Sequence, residues 1–321
     1  MPGLRGLAWL GRHGGAVIAV AVFVGLAVPP LAALLRPLLV AAIVGPFLIA
    51  LLRIDWQQLG RLIRRPAGTL VALAWLLVLL PIATHTLLLP FALPPSLHAS
   101  MVLMAAAPPL MASGNLALLL GLDATLAVLL TVLGTALMPL TLPWIGLQLL
   151  GVALDVSAAE LTTRLGLVIG GCFAAAWALR RTLKPGFVAR HAETLDGLAI
   201  VGLVVFAIAI MDGVGAMLLA RPGFVLGYMV AAYALNVGLQ ALGSGAFAWT
   251  GRRRALTMGL CSGNANLGLL LAALADRAPL DLLVFIAAAQ LPIYTLPVIQ
   301  RPFYRRWLAG TPAVRQPGWR G

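Results

Sequence analysis

Residues 105–115 read AAAPPLMASGN, residues 259–268 read GLCSGNANLG, and both interrupt apolar runs with the tripeptide Ser-Gly-Asn. The two copies, Ser113-Gly114-Asn115 and Ser262-Gly263-Asn264, are 149 residues apart, close to half of the 321-residue chain. Further on, MPLTLP at 138–143 is echoed by LPIYTLP at 291–297. Similar segments at a nearly constant spacing indicate a duplicated unit.

The composition excludes a water-soluble protein. Apolar residues make up 62% of the chain and charged residues 10%, with a mean hydropathy of +1.03. A bilayer is crossed by about 20 apolar residues, and runs of this kind fill the chain with short breaks between them. We expect an all-α polytopic domain over 1–321 with ten transmembrane helices, the second interrupted by Pro46. Their approximate bounds are 15–35, 38–53, 68–91, 98–120, 124–150, 163–179, 196–219, 223–249, 255–275 and 280–299.

Basic residues orient these helices. If ten helices alternate in direction, 18 of the 22 Lys and Arg residues fall on one side. Positively charged loops stay in the cytoplasm, so both termini, including a basic tail at 301–321, are expected there. The net charge of +13 is then an orientation signal and not a nucleic-acid surface. A composition rich in Ala, Leu, Arg and Pro is typical of GC-rich bacterial genomes and favours the inner membrane.

The duplicated unit contains five helices, an odd number, so the second copy enters the membrane from the opposite side. The repeats, about 15–150 and 163–300, are therefore expected to be inverted. Transporters of this architecture bind their substrates near the midplane, in helices broken at corresponding places. Helices four and nine are expected to break and cross at Pro108, Pro109, Gly114, Asn115, Gly263, Asn264, Asn266 and Gly268.

Polar residues at these breaks form a candidate substrate- and ion-binding site. The backbone groups of an opened helix need partners inside the protein or in a cavity, and the N-terminus of a half-helix favours an anion. The candidates are Ser113, Gly114, Asn115, Thr131, Asn236, Ser262, Gly263, Asn264 and Asn266. Interhelical hydrogen bonding is the alternative for Thr131 and Asn236, and the favoured role for Thr135, Gln240 and Gln290.

Few ionisable residues lie in the spans. Asp123 is expected to cap helix five, and Asp212 and His85 to lie near the outer face. Cys172 and Cys261 sit in apolar stretches, which predicts packing residues. The motifs of metalloproteases, nucleotide-binding loops and serine hydrolases do not occur in the sequence, so neither enzyme activity nor a bound cofactor is expected.

The motifs resemble those of the bile acid:sodium symporter family. Residues 112–115, the turn Gly121-Leu122-Asp123, the pair Thr131 and Thr135, and residues 137–140 are similar to its crossover region, and Asn236-x-Gly238 and residues 254–268 to its eighth and ninth helices. The resemblance extends over the ten-helix plan. It implies a panel domain, a core domain in which helices four and nine cross, and a sodium position near Ser113, Asn115 and Thr131.

The sequence departs from the family where sodium is bound. Thr257 and Cys261 stand where the family normally carries an acidic residue and a Gln that complete two sodium sites. Ala127 replaces a Ser, and Leu76 replaces a Gln of the third helix. The coupling ion is therefore left open between Na⁺ and H⁺.

We expect a secondary active transporter of a small organic solute, an organic anion such as a bile acid-like or carboxylate compound. The alternatives are an uncoupled channel or facilitator of the same fold, and a membrane sensor or scaffold that has lost transport. The partners are the solute and the lipid bilayer, without nucleic acid. Substrate identity and oligomeric state are not fixed by the sequence.

Overall fold

The protein is helical throughout the part that the structure describes. This computed structural model describes residues 14, 17–54, 56, 60, 66–149, 151, 156–184, 186–274 and 277–309. Within those ranges there is no β-strand, and seven helices are long and apolar enough to cross a membrane. The chain is a multi-pass membrane protein.

Twelve helices are labelled here in chain order. They are α1 (Val17–Ala27), α2 (Pro29–Arg53), α3 (Ala67–Phe91), α4 (Pro95–Ala106), α5 (Ser113–Leu120), α6 (Ala124–Leu142), α7 (Ala158–Thr182), α8 (Ala192–Ala220), α9 (Pro222–Ala246), α10 (Arg252–Gly263), α11 (Leu267–Leu274) and α12 (Leu280–Trp307). A turn interrupts α8 at residues 210–213. The predicted helices 98–120 and 255–275 are each split in two, so both are broken as predicted. The breaks lie at 107–112 and 264–266 and include Pro108, Pro109, Asn264 and Asn266. The prediction was wrong for the other positions, because Gly114 and Asn115 lie inside α5, Gly263 is the last residue of α10 and Gly268 lies inside α11.

The predicted boundary between the first two helices is wrong. Helix α1 ends at Ala27, and α2 begins at Pro29 and continues to Arg53 through a 3₁₀ turn at Arg36–Leu38. Proline is well suited to the first turn of a helix, because the N–H that it lacks would have no partner there. Adjacent prolines in an apolar run thus start a helix here.

Pro46 lies inside α2 and does not end it, contrary to the predicted interruption. The Pro46 ring packs closely on α8, where a Cβ atom added to Gly202 would lie 2.6 Å from Pro46 Cγ. Ion pairs hold the same two helices at both ends: Arg36 pairs with Asp212 at 3.1 Å, and Arg53 pairs with Asp196. Helices α2 and α8 therefore run antiparallel.

Helix α12 is the most deeply buried of the seven long apolar helices. In its apolar stretch of 18 residues, 78% of the residues are buried inside the protein. It passes through Pro292, Pro297 and Pro302 and continues to Trp307, so it takes up the beginning of the predicted basic tail. Residues 310–321 lie outside the described residues. The long central helix supplies one wall of the cavity described below.

Candidate substrate-binding site

The two helix breaks contact each other through their backbones. The N–H of Leu110 donates to the carbonyl of Asn264, and the N–H of Asn266 donates to the carbonyl of Pro108, both at 2.8 Å. Pro109 and Ala265 face each other between these bonds as an isolated antiparallel bridge. Polar groups released by one broken helix are thus satisfied by the other, as an apolar surrounding requires.

Local sequence explains where each helix stops. Ala107 is extended, with φ −78° and ψ 144°, because the residue before a proline avoids the helical region. Pro108 and Pro109 also lack the N–H that would continue the ladder. At the other break, the Asn264 side-chain Nδ2 donates to the carbonyl of Leu260 at 3.0 Å and closes the last turn of α10.

A buried chain of side-chain hydrogen bonds supports the second break. Tyr304 Oη donates to Gln240 Oε1 at 3.0 Å, Gln240 Nε2 donates to Asn236 Oδ1 at 2.7 Å, and Asn236 Nδ2 donates to the Gly263 carbonyl at 2.7 Å. The amides of Asn236 and Gln240 are both buried. Asn236 thus has the interhelical role that the sequence left open for it.

A cavity of about 560 Å³ adjoins the crossed breaks. It lies between α1, α2 and α8 on one side and α5, α6, α11 and α12 on the other, a size suited to a small organic molecule. Much of its wall is apolar, with Ile43, Phe47 and Leu203 among the lining residues. Its polar and charged lining residues are Arg53, Asn115, Thr125, Thr131, Asp196, Asn266, Gln290 and Tyr294.

The cavity takes in some of the predicted site residues and leaves out others. Gly114, Asn115, Thr131 and Asn266 line it, whereas Ser113, Asn236, Ser262, Gly263 and Asn264 lie behind its wall. Gln290, expected to serve in interhelical bonding, donates Nε2 to Ile286 and also lines the cavity. Sequence reasoning missed Thr125, Tyr294, Arg53 and Asp196. Of these four, only Tyr294 could have been predicted from the sequence, because it follows Gln290 by four residues and so lies on the same face of the helix.

Several buried oxygen atoms near the breaks have no hydrogen-bond partner among the described residues. They are Ser113 Oγ, Thr135 Oγ1 and Asn264 Oδ1. Thr131 Oγ1 donates to the carbonyl of Ala127 at 2.8 Å, which leaves its lone pairs free of any described donor. Because buried polar atoms are nearly always paired, unpaired oxygen atoms beside the helix breaks indicate groups that an ion or ligand could use.

The side-chain oxygen atoms of Thr257 and Ser262 on α10, in contrast, have hydrogen-bond partners. Thr257 Oγ1 accepts from the N–H of Asp123 at 3.0 Å and donates to the Arg253 carbonyl at 2.7 Å. Ser262 Oγ lies 3.3 Å from the indole Nε1 of Trp75, which donates to it. Asp123 also accepts from the Leu126 N–H at 3.0 Å, which confirms that it caps α6.

The remaining ionisable candidates lie away from the cavity. Asp212 is paired with Arg36 beside a second cavity of about 160 Å³, and His85 stacks on His98 with ring centroids 4.9 Å apart. Cys172 and Cys261 are both buried, as expected of packing residues.

A model of the sodium bile acid symporter family matches residues 37–221, which is more than half of the chain. The chain belongs to this family. The match begins within α2 and includes the first break, the turn at residues 121–123 and α6, which confirms the family that the sequence resembles. Residues 236–238 and 254–268, on which the resemblance also rested, lie outside the matched range. As a member of the sodium bile acid symporter family, the chain is a membrane transporter. No curated protein matches it.

Proposed function

We propose that this transporter carries a small organic anion by alternating access between two inverted five-helix repeats, about 15–150 and 163–300. The observation that carries the proposal is the pairing of Leu110 with Asn264 and of Pro108 with Asn266 beside a large cavity. Broken helices in the two halves of a transporter typically hold the substrate near the midplane.

The chemistry of the cavity supports an anion with an apolar body. Aliphatic and aromatic side chains form most of the wall, and amides of Asn115 and Asn266 offer donors without carrying charge. Helices α5 and α11 begin beside the cavity, and helix N-termini carry partial positive charge. A bile acid-like compound or another carboxylate satisfies both requirements.

The unpaired oxygen atoms support at most a limited role for a coupling cation. We assign a Na⁺ position to the neighbourhood of Ser113, Asn115 and Thr131, where Ser113 Oγ is unpaired among the described residues. Sodium binds through several oxygen ligands. Thr257 Oγ1 is already engaged and Cys261 offers no oxygen, which argues against a second Na⁺ nearby.

The lack of free oxygen ligands at Thr257 and Cys261 also favours a second candidate function, an uncoupled facilitator with the same crossed helices. Without the carboxylate and carboxamide that the family usually carries on this helix, the link between ion and solute is weakened. Proton coupling is a third candidate. The charged groups among the described lining residues are those of Arg53 and Asp196, and these two are already paired with each other.

The distribution of basic residues supports cytoplasmic termini, and a composition rich in Ala, Leu, Arg and Pro supports a bacterial inner-membrane location. In that orientation Arg53 and Asp196 lie at the cytoplasmic ends of α2 and α8. Arg180 lies at the same end, because its Nη1 donates to the carbonyls of Leu52 and Ile54 at 3.0 and 2.6 Å. The cavity is then reached from the cytoplasm.

Thermal melting of the purified protein tests these assignments. The melting temperature is measured in sodium and in potassium buffer, with and without bile salts and small carboxylates, because a ligand of the folded state raises it. Stabilisation that needs sodium supports symport, and equal stabilisation in both salts supports proton coupling or a facilitator. Uptake of the stabilising anion into proteoliposomes, with and without an ion gradient, separates those two. A protein that binds but never transports is a sensor.

A further inference from the structure

Two charged side chains, Arg53 and Asp196, lie among the described residues lining the 560 Å³ cavity. Arg53 ends α2, Asp196 lies in the first turns of α8, and the two form an ion pair. Their side chains are 25% and 39% exposed, so both can meet a molecule at the cavity mouth. The other described residues that line this cavity are uncharged, so the presence of an ion pair there needs a physical explanation.

The guanidinium group suits an organic carboxylate. Its planar fork presents five N–H donors, more than one carboxylate can accept, and it binds carboxylates through two parallel bonds. Because only 25% of the Arg53 side chain is exposed, an unpaired guanidinium in the empty cavity would be costly. Asp196 removes that cost, and as the more exposed partner it returns to water easily once another carboxylate takes its place.

Bracing of the two helices does not by itself account for this pair. Arg36 and Asp212 join the same helices at their other ends, at 3.1 Å, and neither lines the large cavity. Between the two ion pairs, the packing of Pro46 on Gly202 already brings the helices together. The pair of Arg36 and Asp212 can therefore serve as a control, because it joins the same two helices without lining the large cavity.

We propose that Arg53 is an anion-recognition residue of the cavity, and that the carboxylate of the transported solute displaces Asp196 from it. This rests on the proposed function and deepens it. The solute is an amphipathic carboxylate whose charge lies at Arg53 and whose apolar body lies against Phe47, Ile200 and Leu203. Asp196 acts as a built-in competitor that is exchanged when the solute binds and restored when it leaves.

The test compares cholate with its uncharged methyl ester. Dissociation constants of both are measured in sodium and in potassium buffer on the full-length wild-type protein and on the variants R53Q, R53K, D196N, R36Q and D212N. We expect R53Q to weaken cholate binding about tenfold or more, the effect of losing a charge-assisted hydrogen bond, and to leave the ester unchanged. D196N should strengthen cholate binding, R53K should be intermediate because it lacks the fork, and R36Q and D212N should match the wild type.

Opposite effects of R53Q and D196N are the signature of competition. If the pair only braces the helices, R53Q and D196N change the affinities for cholate and for the ester by the same factor. Both variants then lower the melting temperature, as R36Q and D212N should. Retention by R53Q of the wild-type preference for cholate over the ester overturns the inference and leaves the proposed function intact. If R53Q does not fold, R53K and D196N decide by the same criteria. Failure of the wild type to bind cholate or any small carboxylate contradicts the proposed function itself, and the inference with it.

Discussion

The backbone N–H of Asn266 donates to the carbonyl of Pro108 at 2.8 Å, although 157 residues separate the two positions along the chain. The reciprocal bond from Leu110 to Asn264 has the same length. Each broken helix thus supplies the partner that the other has lost. Because an unpaired amide in an apolar surrounding costs several kcal/mol, the two breaks are stable only together.

Replacing Asn236 by alanine should destabilise the fold. The substitution leaves the Gly263 carbonyl and the Gln240 amide, both buried, without a partner. We expect the free energy of unfolding to fall by about 2 kcal/mol or more. The melting temperature checks this, with V237A as the control because Val237 is 46% exposed on the same helix. Equal melting temperatures for the two variants would show that the buried chain contributes nothing.

Glycine at position 263 should be required for the approach of α9 to α10. A Cβ atom there would lie 2.5 Å from Gln240 Cγ and 2.7 Å from the Asn236 carbonyl oxygen. We expect G263A to cost about 1–3 kcal/mol and to reduce transport, since backbone must move. G238A on α9 meets no atom within 4 Å and should be neutral or slightly stabilising, because alanine favours a helix over glycine. Similar melting temperatures would contradict this account.

The buried hydroxyl of Ser113 should serve binding and not folding. Ser113 Oγ has no described partner, so S113A removes an unpaired polar atom and should leave the melting temperature unchanged or raise it. Stabilisation by sodium or by the bound anion should decrease in the same variant. A measurement of melting with and without ligand separates the two effects. A large drop for the ligand-free variant would instead assign Ser113 a structural role.

The contact between Pro46 and Gly202 should set the spacing of α2 and α8. In G202A the new Cβ atom would lie 2.6 Å from Pro46 Cγ and 2.9 Å from Cδ, so the helices must separate. We expect a loss of about 1–3 kcal/mol in thermal or denaturant unfolding. G45A lies beside Pro46 and meets no atom within 4 Å, so it is the matched control. If both variants unfold alike, the two helices are not held by this contact.

The amino-acid sequence by itself determined the features that depend on neighbouring residues. Two prolines after Ala107 end a helix because they supply no N–H, and an aspartate at position 123 caps the next helix through its own side chain. Duplication of Ser-Gly-Asn then indicated a break in the second half as well, although the first copy begins α5 after its break and the second ends α10 before its break. The helix start at Pro29 was missed, since a proline pair can either end or begin a helix and local sequence does not decide between them.

Only the tertiary structure decided which polar groups face the cavity and which hold the protein together. Asn236 and Asn266 are the same residue type in the same half of the chain, yet one bonds to Gly263 and the other lines the cavity. In the sequence Arg53 is one more basic residue near a helix end, and only the packing of α8 against α2 shows that it lines the cavity and pairs with Asp196. Such roles depend on contacts between separate segments of the chain, and side-chain periodicity carries no information about which segments will meet.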